Sequence, residues 1–132
     1  MRVLFATCCE QVIHDLERRT VSLIQIIEGW SVVSFPVFIP TFSFVAFLER
    51  DENEPIQSTA NLRVTLGETE VAAQQVSIEF EGKLRTKFTA RFGGMPIMSA
   101  GNLTFVFSLG EAVSSWTVPI EQVSPPAHEQ PD

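Results

Sequence analysis

The feature that most constrains the fold is a strict alternation of apolar and polar side chains. In residues 84–92, Leu, Thr, Phe, Ala and Phe occupy one parity, whereas Arg, Lys, Thr and Arg occupy the other. Successive side chains of a β-strand point to opposite faces of a sheet, so this pattern predicts a strand with one buried face. The alternation recurs at 62–66, 76–80, 103–109 and 116–120. No long segment has helical periodicity, which favours an all-β fold.

The length of the chain and the spacing of these segments predict one domain. A chain of 132 residues fits one hydrophobic core and leaves little room for a second. We expect an all-β fold over residues 1–122, a two-layer antiparallel β-sandwich of about eight strands with immunoglobulin-like or related Greek-key topology. The proline-rich residues 123–132 are expected to form a disordered tail.

Side-chain parity predicts a first hairpin between residues 76–80 and 84–92. A slip of one residue would turn the buried set outward, so parity restricts the register. Setting Val76 opposite Phe88 places Glu79 beside Arg85 on the wet face, which is a favourable cross-strand charge pair.

A second hairpin and a further turn follow from the same reasoning. We expect Phe107 opposite Trp116, with residues 110–113 as the connecting loop. Residues 15–20 are expected to form the turn between the first two strands.

The N-terminal third has a different pattern. Residues 3–9, 21–27 and 42–48 are apolar on both parities. Strands that are covered on both faces have this composition. The alternative is that one face packs on the core and the other face contacts a partner.

The segment between the second and third of these strands, residues 30–40, is too apolar for a solvated loop. Its two prolines forbid a continuous strand ladder, so we expect it to cross between sheets and close one end of the core. Large apolar patches mark protein-contact sites, and the candidates in this segment are Phe35, Val37, Phe38 and Ile39. The alternative is an internal lid on the protein's own core.

Charge and cysteine content exclude several classes of protein. The net charge of −7 disfavours binding to nucleic acid or to an anionic membrane. Cys8 and Cys9 are adjacent and provide no disulfide framework, which indicates a reducing, cytoplasmic compartment. The first apolar run meets Glu10 without a small-residue cleavage site, so no signal peptide is predicted.

The sequence contains no recognisable catalytic or metal-binding apparatus. Cys8 and His14 are about 20 Å apart along an extended strand, too far for a nucleophile and its base. Cys8, Cys9, Glu10, His14 and Asp15 include zinc-ligand types, but no second cluster follows downstream. We therefore predict no catalytic residue, no cofactor and no metal.

Two charged segments leave ligand binding open. The acidic loop 49–54 could contribute oxygen ligands to calcium, although a solvated loop is the simpler interpretation. The basic row of Arg85, Lys87 and Arg91, with Arg63 beside it, could bind an anion, although pairing with Glu79 and its neighbours is favoured.

Four segments of the chain carry a resemblance: residues 3–12, 21–28, 35–40 and 101–107. Together they resemble a group of small, stand-alone bacterial proteins of unknown function, over residues 1–121. The resemblance implies a bacterial, cytoplasmic β-sandwich without an assigned activity, and it transfers no functional residue.

The leading functional hypothesis is a non-catalytic β-sandwich module that acts by contact with protein, either itself or another chain. The expected contact uses the apolar crossover or a strand edge. The alternative is a small-ligand or calcium-binding sandwich that works through its end loops, and an enzyme is the third hypothesis.

Overall fold

The computed structural model describes residues 1–125, and this part of the chain is built from β-strands and turns without a helix. The strands are β1 (Arg2–Asp15), β2 (Thr20–Ile26), β3 (Trp30–Val32), β4 (Val37–Ile39), β5 (Phe42–Glu49), β6 (Gln57–Leu66), β7 (Thr69–Glu79), β8 (Arg85–Phe92), β9 (Met95–Ile97), β10 (Gly101–Leu109) and β11 (Ala112–Gln122). The all-β prediction is confirmed.

The expected number of about eight strands is too low, because residues 1–125 contain eleven. The strands β3, β4 and β9 have three residues each. A segment that short contains too few positions for an alternating pattern to stand out, so these strands were not visible in the sequence.

The strands form three sheets. A four-stranded antiparallel sheet has the order β2-β1-β5-β8, and a five-stranded sheet has the order β3-β11-β10-β6-β7. The five-stranded sheet is mixed, because β3 pairs with β11 in parallel. The strands β4 and β9 form a small separate pair.

Phenylalanine rings join the two large sheets. Phe44 of β5 lies 5.8 Å from Phe105 and 6.0 Å from Phe107, both in β10, measured between ring centroids. Phe88 of β8 stacks on Phe107 at 5.3 Å. These distances are typical of favourable aromatic pairs. The chain has eleven Phe and no Tyr, and a ring without a hydroxyl needs no hydrogen-bond partner in such a dry core.

The first predicted hairpin is wrong. Val76 lies opposite Ala60 of β6, whereas Phe88 lies opposite Ala46 of β5. The chain therefore passes from one large sheet to the other between β7 and β8. Parity fixes which face of a strand is buried, but it does not identify the neighbouring strand.

The second predicted hairpin is confirmed as a pair, with a different register. Phe105, and not Phe107, lies opposite Trp116, and the turn consists of Gly110 and Glu111. A shift of two residues keeps every side chain on its face, so parity could not detect it. Gly110 has a φ of 60°, which suits a tight two-residue turn.

Two further predictions concern the connections. The turn between the first two strands is confirmed, since β1 ends at Asp15 and β2 begins at Thr20. The apolar segment 30–40 does cross between sheets: β3 joins the five-stranded sheet, and β5 joins the four-stranded sheet.

The predicted tail begins after the last strand, which ends at Gln122. Val123 N donates a hydrogen bond of 2.8 Å to Val32 O. The remainder of the predicted tail, residues 126–132, lies outside the described part of the chain. Within residues 1–125, there is no helix with the length and apolar character needed to cross a membrane.

We expect Phe44→Ala to lower the free energy of unfolding by about 3–5 kcal/mol, because it leaves a cavity between the sheets. Phe38→Ala is the matched control, since its ring is 67% exposed, and it should cost less than about 1 kcal/mol. Urea unfolding measures both values. Equal losses for the two variants would contradict this assignment of the core.

Candidate functional site

The strand β1 is longer than its neighbour β5, and the difference creates a projecting arm. β1 has fourteen residues and β5 has eight, and their pairing ends where Cys9 lies opposite Ser43. Beyond that point, β1 pairs only with β2 among the described strands. We call residues 10–26 the arm. A two-stranded hairpin is marginally stable by itself in water, so an arm of this kind gains from contact with another surface.

The arm exposes large apolar side chains. The exposed fractions are 44% for Ile13, 88% for Leu16, 39% for Ile24 and 46% for Ile26. Ile24 lies opposite Gln11, and Ile26 lies opposite Cys9, so the two isoleucines share one face of the sheet. This is the outer face, because the alternate residue, Cys8, belongs to the core cluster.

The sequence left two alternatives for the N-terminal strands: burial of both faces, or burial of one face with the other in contact with a partner. The strands differ in which alternative they follow. Phe44 and Val45 point to opposite faces of β5, and both are fully buried, as expected of a strand covered on both faces. On β1 and β2, by contrast, Phe5 and the arm residues are exposed on the outer face. The outer face of β1 is nevertheless covered at Thr7 and Cys9, which are fully buried, so the outer apolar side chains that stay exposed are Phe5 and those of the arm.

A groove of about 610 Å³ separates the arm from the start of β5. This volume falls within the range of ligand-binding pockets. Trp30 and Ile39 provide apolar surface, and Thr41, Ser43 and Arg91 lie on the side away from the arm. Gln11 and Val12 line the groove from β1.

Part of the groove wall is a free strand edge. Ile27 N donates a hydrogen bond of 2.8 Å to Cys8 O, so the backbone groups of Cys8 face β2. Backbone groups alternate in direction along an antiparallel strand. Those of Gln11 therefore face the groove, those of Ile13 lie on the same open edge farther along the arm, and no strand among residues 1–125 pairs with either. Pro40 precedes β5 and has no N–H with which to extend the ladder.

The four contact residues predicted in the apolar segment 30–40 differ in how far their side chains are exposed. Ile39 is buried beside the groove, and Phe35 and Val37 are half-buried against the core. Phe38 is the exposed member, and it lies opposite Pro96 of β9. The internal-lid alternative fits the first three residues, and protein contact stays a prediction for Phe38.

Three of the four carboxylates of the acidic loop 49–54, those of Glu49, Asp51 and Glu54, are paired with cations. Glu49 contacts Arg2, and Arg85 Nε lies 2.8 Å from Glu49 Oε2. The Arg2 guanidinium, and secondly that of Arg85, holds the pKa of Glu49 below its usual value. The amino group of Met1 contacts Glu54 and likewise lowers the pKa of Glu54.

The side chain of Arg50 is buried and donates hydrogen bonds to backbone carbonyl groups in and beside this loop. Arg50 Nε donates a hydrogen bond of 2.8 Å to Lys83 O, and its Nη1 donates one of 3.1 Å to Glu54 O. No three His, Cys, Asp or Glu side chains within residues 1–125 are grouped so that they could hold a metal ion. The loop is an ion-paired connection in which cations already contact three of its four carboxylates.

The basic row is correctly placed on one strand face, but its partners differ from the expectation. Arg85 pairs with Glu49 rather than with Glu79. Arg63 is not beside the row, because it lies on β6 of the other large sheet, where it pairs with Glu70 at 2.9 Å. Arg91 forms no ion pair with any residue in the described range, and it lines the groove.

The cysteines and His14 do not form a reactive pair. Cys8 and Cys9 are unbridged and buried, and burial raises the pKa of both thiols. A protonated, buried thiol is a poor nucleophile. His14 is exposed on the arm and lines the groove together with Glu10, whereas Cys8 lies in the core.

Sequence reasoning missed the arm and the groove. One signal was present: Pro40 and the acidic residues that follow Leu48 limit the third apolar segment, whereas no proline or glycine interrupts the chain between the first apolar segment and the predicted turn at 15–20. A mismatch in length between neighbouring strands leaves an unpaired end. Using this signal requires knowing that β1 and β5 are neighbours, and parity does not reveal that.

Comparisons with known proteins do not assign the chain to a family. No family model matches it, and no curated protein matches it significantly. The function is therefore inferred from the geometry.

We expect stability to fall in acid because of Glu49. Its pKa is lower in the folded than in the unfolded chain, where it is about 4.3. The contribution of Glu49 to the free energy of unfolding is therefore complete at a pH above its pKa in the unfolded chain. It is lost as the pH falls through its pKa in the folded chain. Urea unfolding should show a weaker acid dependence for Glu49→Gln than for the wild type. Glu68→Gln, which removes no ion pair seen in residues 1–125, is the control; an equal effect of both variants would contradict this ion-pair assignment.

Proposed function

We propose that the chain is a non-catalytic module that acts through contact with protein, either a second copy of itself or another chain. The observation that carries this proposal is the arm, whose exposed apolar side chains are left uncovered by the rest of the described chain. Contiguous apolar surface on a protein is typical of interaction sites.

The free energy gained by burying the apolar side chains of the arm supports the same proposal. Fully burying one isoleucine or leucine side chain contributes about 1.5–3 kcal/mol. Ile13, Leu16, Ile24 and Ile26 together can supply the core of a specific interface. Phe5 and Phe47 stack at 6.1 Å on the same outer face and extend the apolar surface beyond the arm.

We propose that the fold is a two-layer β-sandwich with immunoglobulin-like topology. The order β1-β5-β8 corresponds to the strands A, B and E of that fold, and β11-β10-β6 corresponds to G, F and C. Ring contacts between the two large sheets support the sandwich. In this correspondence β2 has no counterpart. The arm is thus an addition to a common scaffold, where function is often located.

The alternative of a small-ligand or calcium-binding module has less support. The acidic loop is already paired with Arg2, Arg85 and the Met1 amino group. The burial of Cys8 and its raised pKa support the non-catalytic part of the proposal.

We also propose a bacterial origin and a cytoplasmic location. The two unbridged cysteines in the protein interior support a reducing compartment. The resemblance to small bacterial proteins supports the source.

We expect the protein in an extract of its own cells to elute in a discrete assembly larger than 14.7 kDa. The double variant Ile24→Ser, Ile26→Ser should elute as a single chain, because it removes the apolar face of the arm. Size-exclusion chromatography with light scattering measures the mass. Val71→Ser, on the exposed face of β7, is the matched control and should retain the assembly.

Two outcomes would contradict the proposal. One is a single chain both in the extract and in purified protein at about 1 mM, well above the dissociation constants of specific complexes. The other is an assembly that survives the double substitution. Phe38→Ser tests the crossover separately: loss of the assembly in that variant alone would move the contact away from the arm.

A further inference from the structure

We propose that the groove beside the arm binds the carboxyl-terminal segment of a partner protein, which adds a strand to the free edge of β1 and places its terminal carboxylate at Arg91. This inference rests on the proposed contact function and names the kind of partner. Addition of a peptide strand to a sheet edge is a common mode of recognition.

The backbone of β1 supplies the first requirement. The N–H and C=O groups of Gln11 face the groove and those of Ile13 lie on the same open edge, and β5 does not reach them because its pairing with β1 ends at Cys9 and Ser43. An added strand would satisfy these groups and would give the arm a neighbour on its open side.

The sheet sets the direction of the added strand. β1 is antiparallel to both of its neighbours, β2 and β5. A strand that continues this pattern runs from the tip of the arm toward Cys9. It meets residues 40–42 there, where β5 begins, so it cannot continue straight. A segment that ends at this point fits the groove without a turn.

A cation at this end of the groove can bind a carboxylate. Arg91 lies opposite Ser43, which in turn lies opposite Cys9, so it stands on the row of the sheet just beyond the expected chain end, and its long side chain can reach toward that end. It lines the groove, and no carboxylate within residues 1–125 is paired with it. Glu10 and His14 line the arm side of the groove. The chain has a net charge of −7, so Arg91, a cation without an ion-pair partner in the described residues, gives this position local charge complementarity to a carboxylate.

The groove also constrains the side chains of the segment. Alternate residues of a strand point to opposite faces. One set would lie on Trp30 and Ile39, and the other would lie on the outer face beside Gln11 and Ile13 of β1. We therefore expect apolar residues at alternate positions.

The test uses the full chain and two displayed libraries of random heptapeptides, one with a free carboxyl terminus and one fused through that terminus. We expect enrichment from the first library alone, with apolar residues at alternate positions. The synthetic consensus peptide should lose about tenfold in affinity when it is amidated, and a similar factor when it is tested against Arg91→Ala.

Two proline variants test the edge. Gln11→Pro removes the N–H that faces the groove, whereas Ser22→Pro removes one on the opposite, outer edge of the arm. Both leave the β1–β2 ladder bonds in place, and circular dichroism checks their folding. We expect Gln11→Pro to abolish peptide binding and Ser22→Pro to leave it unchanged.

The proposal is overturned if neither library is enriched, if amidation has no effect, or if Gln11→Pro binds the peptide like the wild type. The assembly experiment with Ile24→Ser, Ile26→Ser reports separately on the contact function. Failure of the peptide test with an intact, arm-dependent assembly would reject the groove inference and leave the contact function standing.

Discussion

The structure depends on the contact of phenylalanine rings between the two large sheets. Phe44 projects from β5 and meets Phe105 and Phe107 of β10, while Phe88 stacks on the same strand. These rings fix β5 as the central strand on its side of the core. Once β5 is held there, its ends are determined by the residues that flank it: Pro40 cannot extend the ladder, and the loop after Glu49 is secured by buried Arg50.

The exposed features follow from this arrangement. β5 is too short to accompany β1 along its whole length, so the distal half of β1 keeps only β2 as a neighbour. One edge of β1 is then open, and the apolar residues Ile24 and Ile26 remain partly exposed on the outer face. The arm, the groove and the open edge share one cause, a mismatch in strand length around a fixed core. Function is proposed where the scaffold leaves its own backbone unpaired.

The sequence predicted the parts of this fold that depend on local patterning. Alternation identified β8 and β10 as strands with one buried face, and the turn after Asp15 was found from composition. Which strands are neighbours could not be predicted, because Val76 satisfies parity equally well opposite Phe88 or opposite Ala60. The site depends on such neighbours. Of the contact residues predicted from the sequence, Ile39 lies at the groove but Phe38 points to solvent, and the free edge at Gln11 carries no side-chain signal.

Amide hydrogen exchange, resolved residue by residue by NMR, tests the open edge most directly. We expect alternation along the arm: the amides of Val12 and His14, which face β2, exchange slowly, whereas those of Gln11 and Ile13 exchange rapidly. The amides of Thr7 and Cys9, which face β5, should be slow. Uniform protection from Thr7 to His14 in the isolated protein would contradict it, because an unrecognised strand would then already occupy the edge of β1.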